Sequence, residues 1–368
     1  MSPTVVGAKL VLTMGNINIT FHICVVYLFV MTCSSAQSVP AFFIFGDSAA
    51  DVGNNNYVAT AAKANTIPNG IDFGNPTGRF TNGRTVFDIL QQQVGFKNFS
   101  PAYLAPTTVG DVILQGVNYA ASASGIFNST GSQYGETVSF DTQLKYHGRI
   151  TLAIMSRIGV AATQKLLRKS IYAIALGAND ILSKDSYTSK LTQDEFLDFV
   201  ISRFRSQLQT LYNLAARKIM VNSVGLIGCS PFVKDIFFVA EGKCYDPFNQ
   251  LAQMYNKKLK SLIVELNKDL DGAKFVYVDT YKTTEDIIQK FVSYGFVDAT
   301  SACCSFFGRH GGLFGCSPFS KVCPDRSKYV FWDSFHLTDA ANLVTAKYMM
   351  EGNLTYMFPM NVRQLVQS

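Results

Sequence analysis

Residues 41–48 read Ala-Phe-Phe-Ile-Phe-Gly-Asp-Ser. An unbroken apolar run without alternation is the pattern of a strand buried on both faces. The glycine after it permits a tight turn, and the turn carries two polar residues. Runs of the same kind recur at Gly116–Tyr119, Ile171–Leu176, Lys218–Ser223 and Lys274–Asp279. Between them lie helix patterns near 85–94, 140–168, 193–216, 246–268, 283–292 and 338–350. In one of these, Leu197, Val200, Ile201, Phe204, Leu208 and Leu211 recur at steps of three and four, an amphipathic face. The alternation predicts an α/β protein with a central parallel sheet between two helical layers. The stretch 53–84, rich in Gly, Asn and Pro, and the cysteine-bearing stretch 301–328 read as long surface loops. No internal repeat interrupts the pattern, so residues 37–368 are expected to form a single domain.

Composition narrows the class further. The 368 residues are 48% hydrophobic and only 16% charged, which excludes a disordered chain and a coiled coil. Residues 1–36 carry Lys9 as their single charge, the apolar run Ile23–Met31 and then the small residues Ser34, Ser35 and Ala36. This is the pattern of a cleavable secretory signal, and the apolar run is too short for a stable membrane span. The formal net charge is +6, with basic pairs at Arg168–Lys169 and Lys257–Lys258 in helical stretches. No basic block interleaved with aromatics exists, so no nucleic-acid partner is expected.

Beyond the leader stand Cys229, Cys244, Cys303, Cys304, Cys316 and Cys323. An even count in an exported chain predicts disulfides, most simply Cys229 with Cys244 and a knot among the other four. Paired metal-ligand spacing is missing and His310 is the only histidine nearby, so no metal is expected. Sequons at Asn98, Asn128 and Asn353 fit an exported glycoprotein.

Three polar blocks end on the carboxyl edge of the expected sheet, where ligands of open α/β folds bind. Gly46-Asp47-Ser48 closes the first run, and Gly177-Ala178-Asn179-Asp180 follows the third. Asp333-Ser334-Phe335-His336 precedes the last helix, which Thr338 can cap. Alone, each of the first two blocks reads better as a helix cap or turn, and a lone histidine is more often structural. Together they supply a hydroxyl nucleophile, an amide donor for an oxyanion, and an imidazole base with a carboxylate three residues away to orient it. His147 and His310, the other histidines beyond the leader, have no acid at such local spacing.

On these residues the chain resembles the plant-type GDSL esterases/lipases of the SGNH hydrolase superfamily. The matching stretches are Phe45–Asn56, Pro76–Arg84, Gly116–Ala120, Gly177–Asp180 and Phe331–His336. The resemblance covers the chain beyond the leader, in order. It implies a flavodoxin-like three-layer α/β/α SGNH fold and a secreted serine esterase or lipase. In that reading Ser48 is the nucleophile, His336 the base and Asp333 its partner. Asn179 and the Ser48 N–H hold the oxyanion, and a further N–H comes from Ser122 or Ala123. The family usually has glycine in that last block, where this chain has Ala121-Ser122-Ala123-Ser124-Gly125. Leu337 likewise stands where proline often follows the histidine. The expected substrate is a lipid or specialised-metabolite ester, with no cofactor and a monomeric protein. An acyltransferase using the same site with an alcohol acceptor, and a cell-wall or defence binding protein that has lost activity, are the alternatives. No G-x-S-x-G elbow stands at the serine, unlike the ordinary α/β-hydrolases.

Overall fold

The computed structural model describes residues 39–183 and 191–368. The expected leader, residues 1–36, lies outside them. Strands β1 (Phe42–Gly46), β2 (Ile171–Ala175), β3 (Lys218–Asn222) and β4 (Lys274–Val278) lie side by side, all parallel and in register. Gly46, Ala175, Asn222 and Val278 therefore form one row across the carboxyl edge. Two small pairs lie apart, β5 (Asp298–Ala302) with β8 (Tyr329–Phe331) and β6 (Cys304–Ser305) with β7 (Lys321–Val322). The short β9 (Met357–Phe358) joins β4 antiparallel.

The expected strand at 116–119 is instead a bridged segment. It follows the free side of β1, with Ile44 N donating to Val117 O, Tyr119 N to Ile44 O and Ala121 N to Gly46 O. Only glycine fits where the chain presses on β1: a Cβ on Gly116 would lie 2.1 Å from the Phe42 carbonyl oxygen. Counting this segment as the second strand, the spatial order is second, first, third, fourth, fifth, the flavodoxin-like order, whose switch point lies between β1 and β2.

Alternate side chains of each strand feed two cores. Phe43, Phe45, Tyr172, Ile174, Ile219 and Val221 pack against α2 (Phe140–Ile158), α3 (Val160–Lys169), α5 (Gln193–Asn213) and α7 (Asp246–Asp269). Phe42, Ile44, Ile171, Ala173 and Met220 pack against α1 (Val86–Gln93), α9 (Asp339–Glu351) and α10 (Val362–Gln367). The three expected layers are present, with α8 (Thr280–Gln289) extending the second and α4 (Ala178–Leu182) and α6 (Pro231–Ile236) short turns at the carboxyl edge. The single helix expected over 140–168 is two, because Gly159 between them adopts φ 80°. The disulfides are Cys229–Cys244, Cys303–Cys323 and Cys304–Cys316. No helix among the described residues is long and apolar enough to cross a membrane.

Candidate active site

Ser48 stands just past β1, and the turn that holds it is built from the backbone outward. A Cβ on Gly46 would meet the Ala175 carbonyl oxygen at 2.8 Å, so only glycine lets β1 end this close to β2. Gln143 of α2 clamps Gly46 from the other side, its Oε1 accepting from Gly46 N at 2.9 Å and its Nε2 donating to Gly46 O at 2.8 Å. No α-helix begins at Ser48, so its hydroxyl caps nothing.

The turn continues onto buried Asp51, whose carboxylate accepts N–H groups from Gly53, Asn54, Asn55 and Ser122. Asn54 donates to the Asn118 and Ala120 carbonyls, and Asn118 donates back to Ala50 O. The Ser48 turn and the 116–122 segment are thereby locked together.

His336 reaches the same place from the loop before α9. Its Nε2 lies 2.7 Å from Ser48 Oγ, and its Nδ1 lies 2.8 and 2.9 Å from the Asp333 carboxylate oxygens. Asp333 Oδ1 also accepts the Phe335 and His336 N–H groups, which bends the loop back on itself. An ionised Asp333 makes Nδ1 the donor and leaves Nε2 to accept the serine proton. The Phe80 ring, 5.0 Å away, covers the imidazole. Trp332 is fully buried and donates Nε1–H to Asn69 Oδ1, fixing the loop from behind.

Charge around the dyad is arranged by burial. Desolvation would lower the His336 pKa, but the Asp333 carboxylate and, further away, Asp47 outweigh it and hold the imidazole above its ordinary range. Burial pushes Asp47 up to about 6, against the Ala49 N–H and His336, which favour its ionised form. Asp51 rises to about 6 for the same reason, opposed by its four backbone donors.

Asn179 comes from the other side of the switch point, in the first turn of α4. Gly177 before it has φ 117°, and a Cβ there would meet the buried Tyr255 ring at 2.9 Å. Asn179 Nδ2 donates to Ser124 O at 3.0 Å, which orients the amide and uses one of its two protons. Asp180 beside it accepts from Ile126 N, Phe127 N and Thr130 Oγ1, so it is a brace for the 123–130 loop. Ser48, His336 and Asn179 share one cavity of about 500 Å³, walled by Leu176, Leu182, Leu226, Ile227 and Phe232. Ser122 and Ala123, expected to contribute a further donor, do not line it, and the Ser122 N–H is held by Asp51.

Residues 42–349 match the family GDSL-like Lipase/Acylhydrolase. The chain belongs to this family. It is 48% identical to the Arabidopsis thaliana GDSL esterase/lipase At4g16230 over 92% of this chain and 94% of that one. It is 42% identical to At2g23540 of the same plant, covering 88% and 87% of the two chains, and 41% identical to At3g50400, covering 91% and 93%. Like the family, the GDSL chain described here is a carboxylic ester hydrolase. A crystal structure of a catalytic mutant of Axe2, an acetylxylan esterase from Geobacillus stearothermophilus, aligns over 84% of this chain and 91% of that one, with 15% identity and a TM-score of 0.37.

Several groups of the GDSL site escape sequence reasoning. Gln143 reads as one more polar residue of a helix, and its only signal is that it falls on the apolar face beside Phe140 and Leu144. The buried pair Arg79–Asp88, joined at 2.8 and 2.9 Å, anchors the 53–84 loop that carries Phe80, yet nothing local links those two positions. His310 pairs with Asp235 at 2.9 Å, an acid 75 residues earlier. Among the described residues no His, Cys, Asp and Glu group could hold a metal ion.

Proposed function

We propose that this chain is a secreted serine esterase or lipase that cleaves carboxylic esters through an acyl-enzyme on Ser48. The observation that carries the reading is the 2.7 Å contact of Ser48 Oγ with His336 Nε2, backed by Asp333 on Nδ1. Ser48 Oγ attacks the ester carbonyl carbon and its proton passes to His336 Nε2. The charge that develops on the carbonyl oxygen is met by the second Asn179 Nδ2 proton and the Ser48 N–H. Collapse breaks the bond to the alkoxy oxygen, which takes the proton from His336 and leaves as the alcohol. Water then attacks the acyl carbon, gives a proton to His336, and the acid departs as Ser48 recovers its hydrogen.

The apolar wall suits an acyl or aromatic group of a lipid or specialised-metabolite ester. Three disulfides fit an oxidising, extracellular compartment. Asn98, Asn128 and Asn353 are exposed, as glycan attachment in that compartment requires. Residues 37–368 act in this reading as one catalytic domain.

The test is a fluorophosphonate probe together with 4-nitrophenyl ester turnover. The parent protein is labelled and active, whereas Ser48→Ala takes no label and loses roughly 10⁴–10⁶ in kcat. Parent-rate hydrolysis by Ser48→Ala would remove the assignment.

A further inference from the structure

Two buried polar groups in the wall of the Ser48 cavity have no hydrogen-bond partner, Asn222 Oδ1 and Thr280 Oγ1. Their place follows from the sheet. In β3, Ile219 and Val221 face the first core and Met220 the second. By alternation Asn222, the last residue of the strand, falls on the face of Met220, under α1 and α9. The cavity extends to that face, where Val86 and Phe87 of α1 and Asn342 and Thr345 of α9 also line it. Neighbouring strands are about 4.8 Å apart, so the Asn222 backbone stands about 10 Å from Gly46 in the turn that carries Ser48.

The other polar groups there are taken. Asn342 Nδ2 donates to Arg84 O and Thr345 Oγ1 to Ala341 O, both at 2.9 Å. Ser223, next to Asn222, accepts Thr280 N on its Oγ at 2.9 Å, which brings the two unpaired groups to one end of the cavity. Asn222 is only 7% exposed. An unpaired buried acceptor works against folding, and a leucine would fill the same space without that cost. The terminal torsion of asparagine is soft, so the oxygen turns readily towards the space the residue lines.

Chemistry restricts what these groups accept. Asn222 Oδ1 takes a donor, and Thr280 Oγ1 both donates and accepts. A hydroxyl matches both kinds of group. A ketone or ester carbonyl leaves the Asn222 oxygen unmet, and an ammonium would lose its hydration against Val86 and Phe87. We propose that Asn222 and Thr280 form a polar subsite that selects esters bearing a hydroxyl about 10 Å from the scissile carbonyl. The proposal rests on the esterase reading of Ser48 and names its substrate class, a long-chain ester hydroxylated on its acyl or its alcohol part.

Two pairs of esters separate these sources: ethyl octanoate with ethyl 8-hydroxyoctanoate, and octyl acetate with 8-hydroxyoctyl acetate. In one pair the parent protein turns over the hydroxylated ester with kcat/KM at least about tenfold higher, and the pair that discriminates tells which part of the ester reaches the subsite. Asn222→Leu and Thr280→Val each bring that ratio down towards one. Their urea midpoints stay at or above that of the parent, because each change removes only an unpaired group. Equal rates within both pairs would overturn the proposal, as would a ratio that survives both substitutions. So would lowered midpoints in both variants, since the two groups would then serve the fold. Binding of the same esters to the Ser48→Ala protein, measured by calorimetry, reads the subsite without turnover. A parent protein that cleaves none of the esters counts against the esterase reading instead, and an affinity ratio of about tenfold or about one in the Ser48→Ala protein still decides the subsite.

Discussion

His147 should make the fold sensitive to acid. It lies fully buried in α2 among Phe43, Phe45, Tyr119 and Tyr172, with Nδ1 against the Tyr119 hydroxyl at 3.1 Å and Nε2 without a partner. Burial drives its pKa from 6.5 down to about 3. Between those values the unfolded chain binds a proton that the folded chain refuses. Stability is therefore fully present above pH 6.5 and is lost as pH falls towards 3. The loss is about 1.4 kcal/mol per pH unit, or about 3 kcal/mol at pH 4.5. Asp47 and Asp51 work the other way: their folded pKa of about 6 against 3.8 makes stability fall as pH rises through that window. Their contribution is shared by any variant at position 147 and cancels in a difference. Urea unfolding of the parent and of His147→Gln, which can keep the Tyr119 hydrogen bond, is compared at pH 6.5, about 5.5 and about 4.5. The stability difference should shift in favour of the variant by about 3 kcal/mol across the series. Parallel pH slopes, or an imidazole that titrates near 6.5 by NMR, would refute the reasoning.

Other outcomes follow from the same geometry. Asn179→Ala should lower kcat by about 10²–10³ with little change in KM, read on a soluble ester. In the proposed mechanism His336 must be neutral to accept a proton, and with its pKa held above the ordinary 6.5 activity should rise with pH through a midpoint above that value. Asp47→Asn removes one of the charges that raise it, so the acid limb of kcat/KM should move to lower pH. Arg79→Ala leaves the Asp88 carboxylate buried without its cation, at a cost of about 3–5 kcal/mol visible as a lower urea midpoint.

The sheet is legible in the sequence because both faces of β1 to β4 are covered, which leaves each strand as an apolar block ended by Gly, Asn or Asp. The segment 116–119 reads as the same thing but pairs with β1 only as an isolated bridge between Ile44 and Asn118. The antiparallel β9 is two residues long and carries no periodic signal. At the site, Ser48, Asn179, Asp333 and His336 are readable because chemistry restricts the residue types and because short local spacing links the last two. Gln143, Phe80 and the Asn54–Asn118 lock are not, since each acts across a gap in sequence of tens of residues and only folding brings it to Gly46, His336 or Ala50.

The hydrogen bond between Ser48 and His336 spans 288 positions of the chain. Synthesis delivers the Ser48 hydroxyl 288 positions before the imidazole it bonds. In the proposed mechanism, a product that stops short of His336 carries a hydroxyl as inert as that of free serine, and ester-cleaving power arrives only with the imidazole.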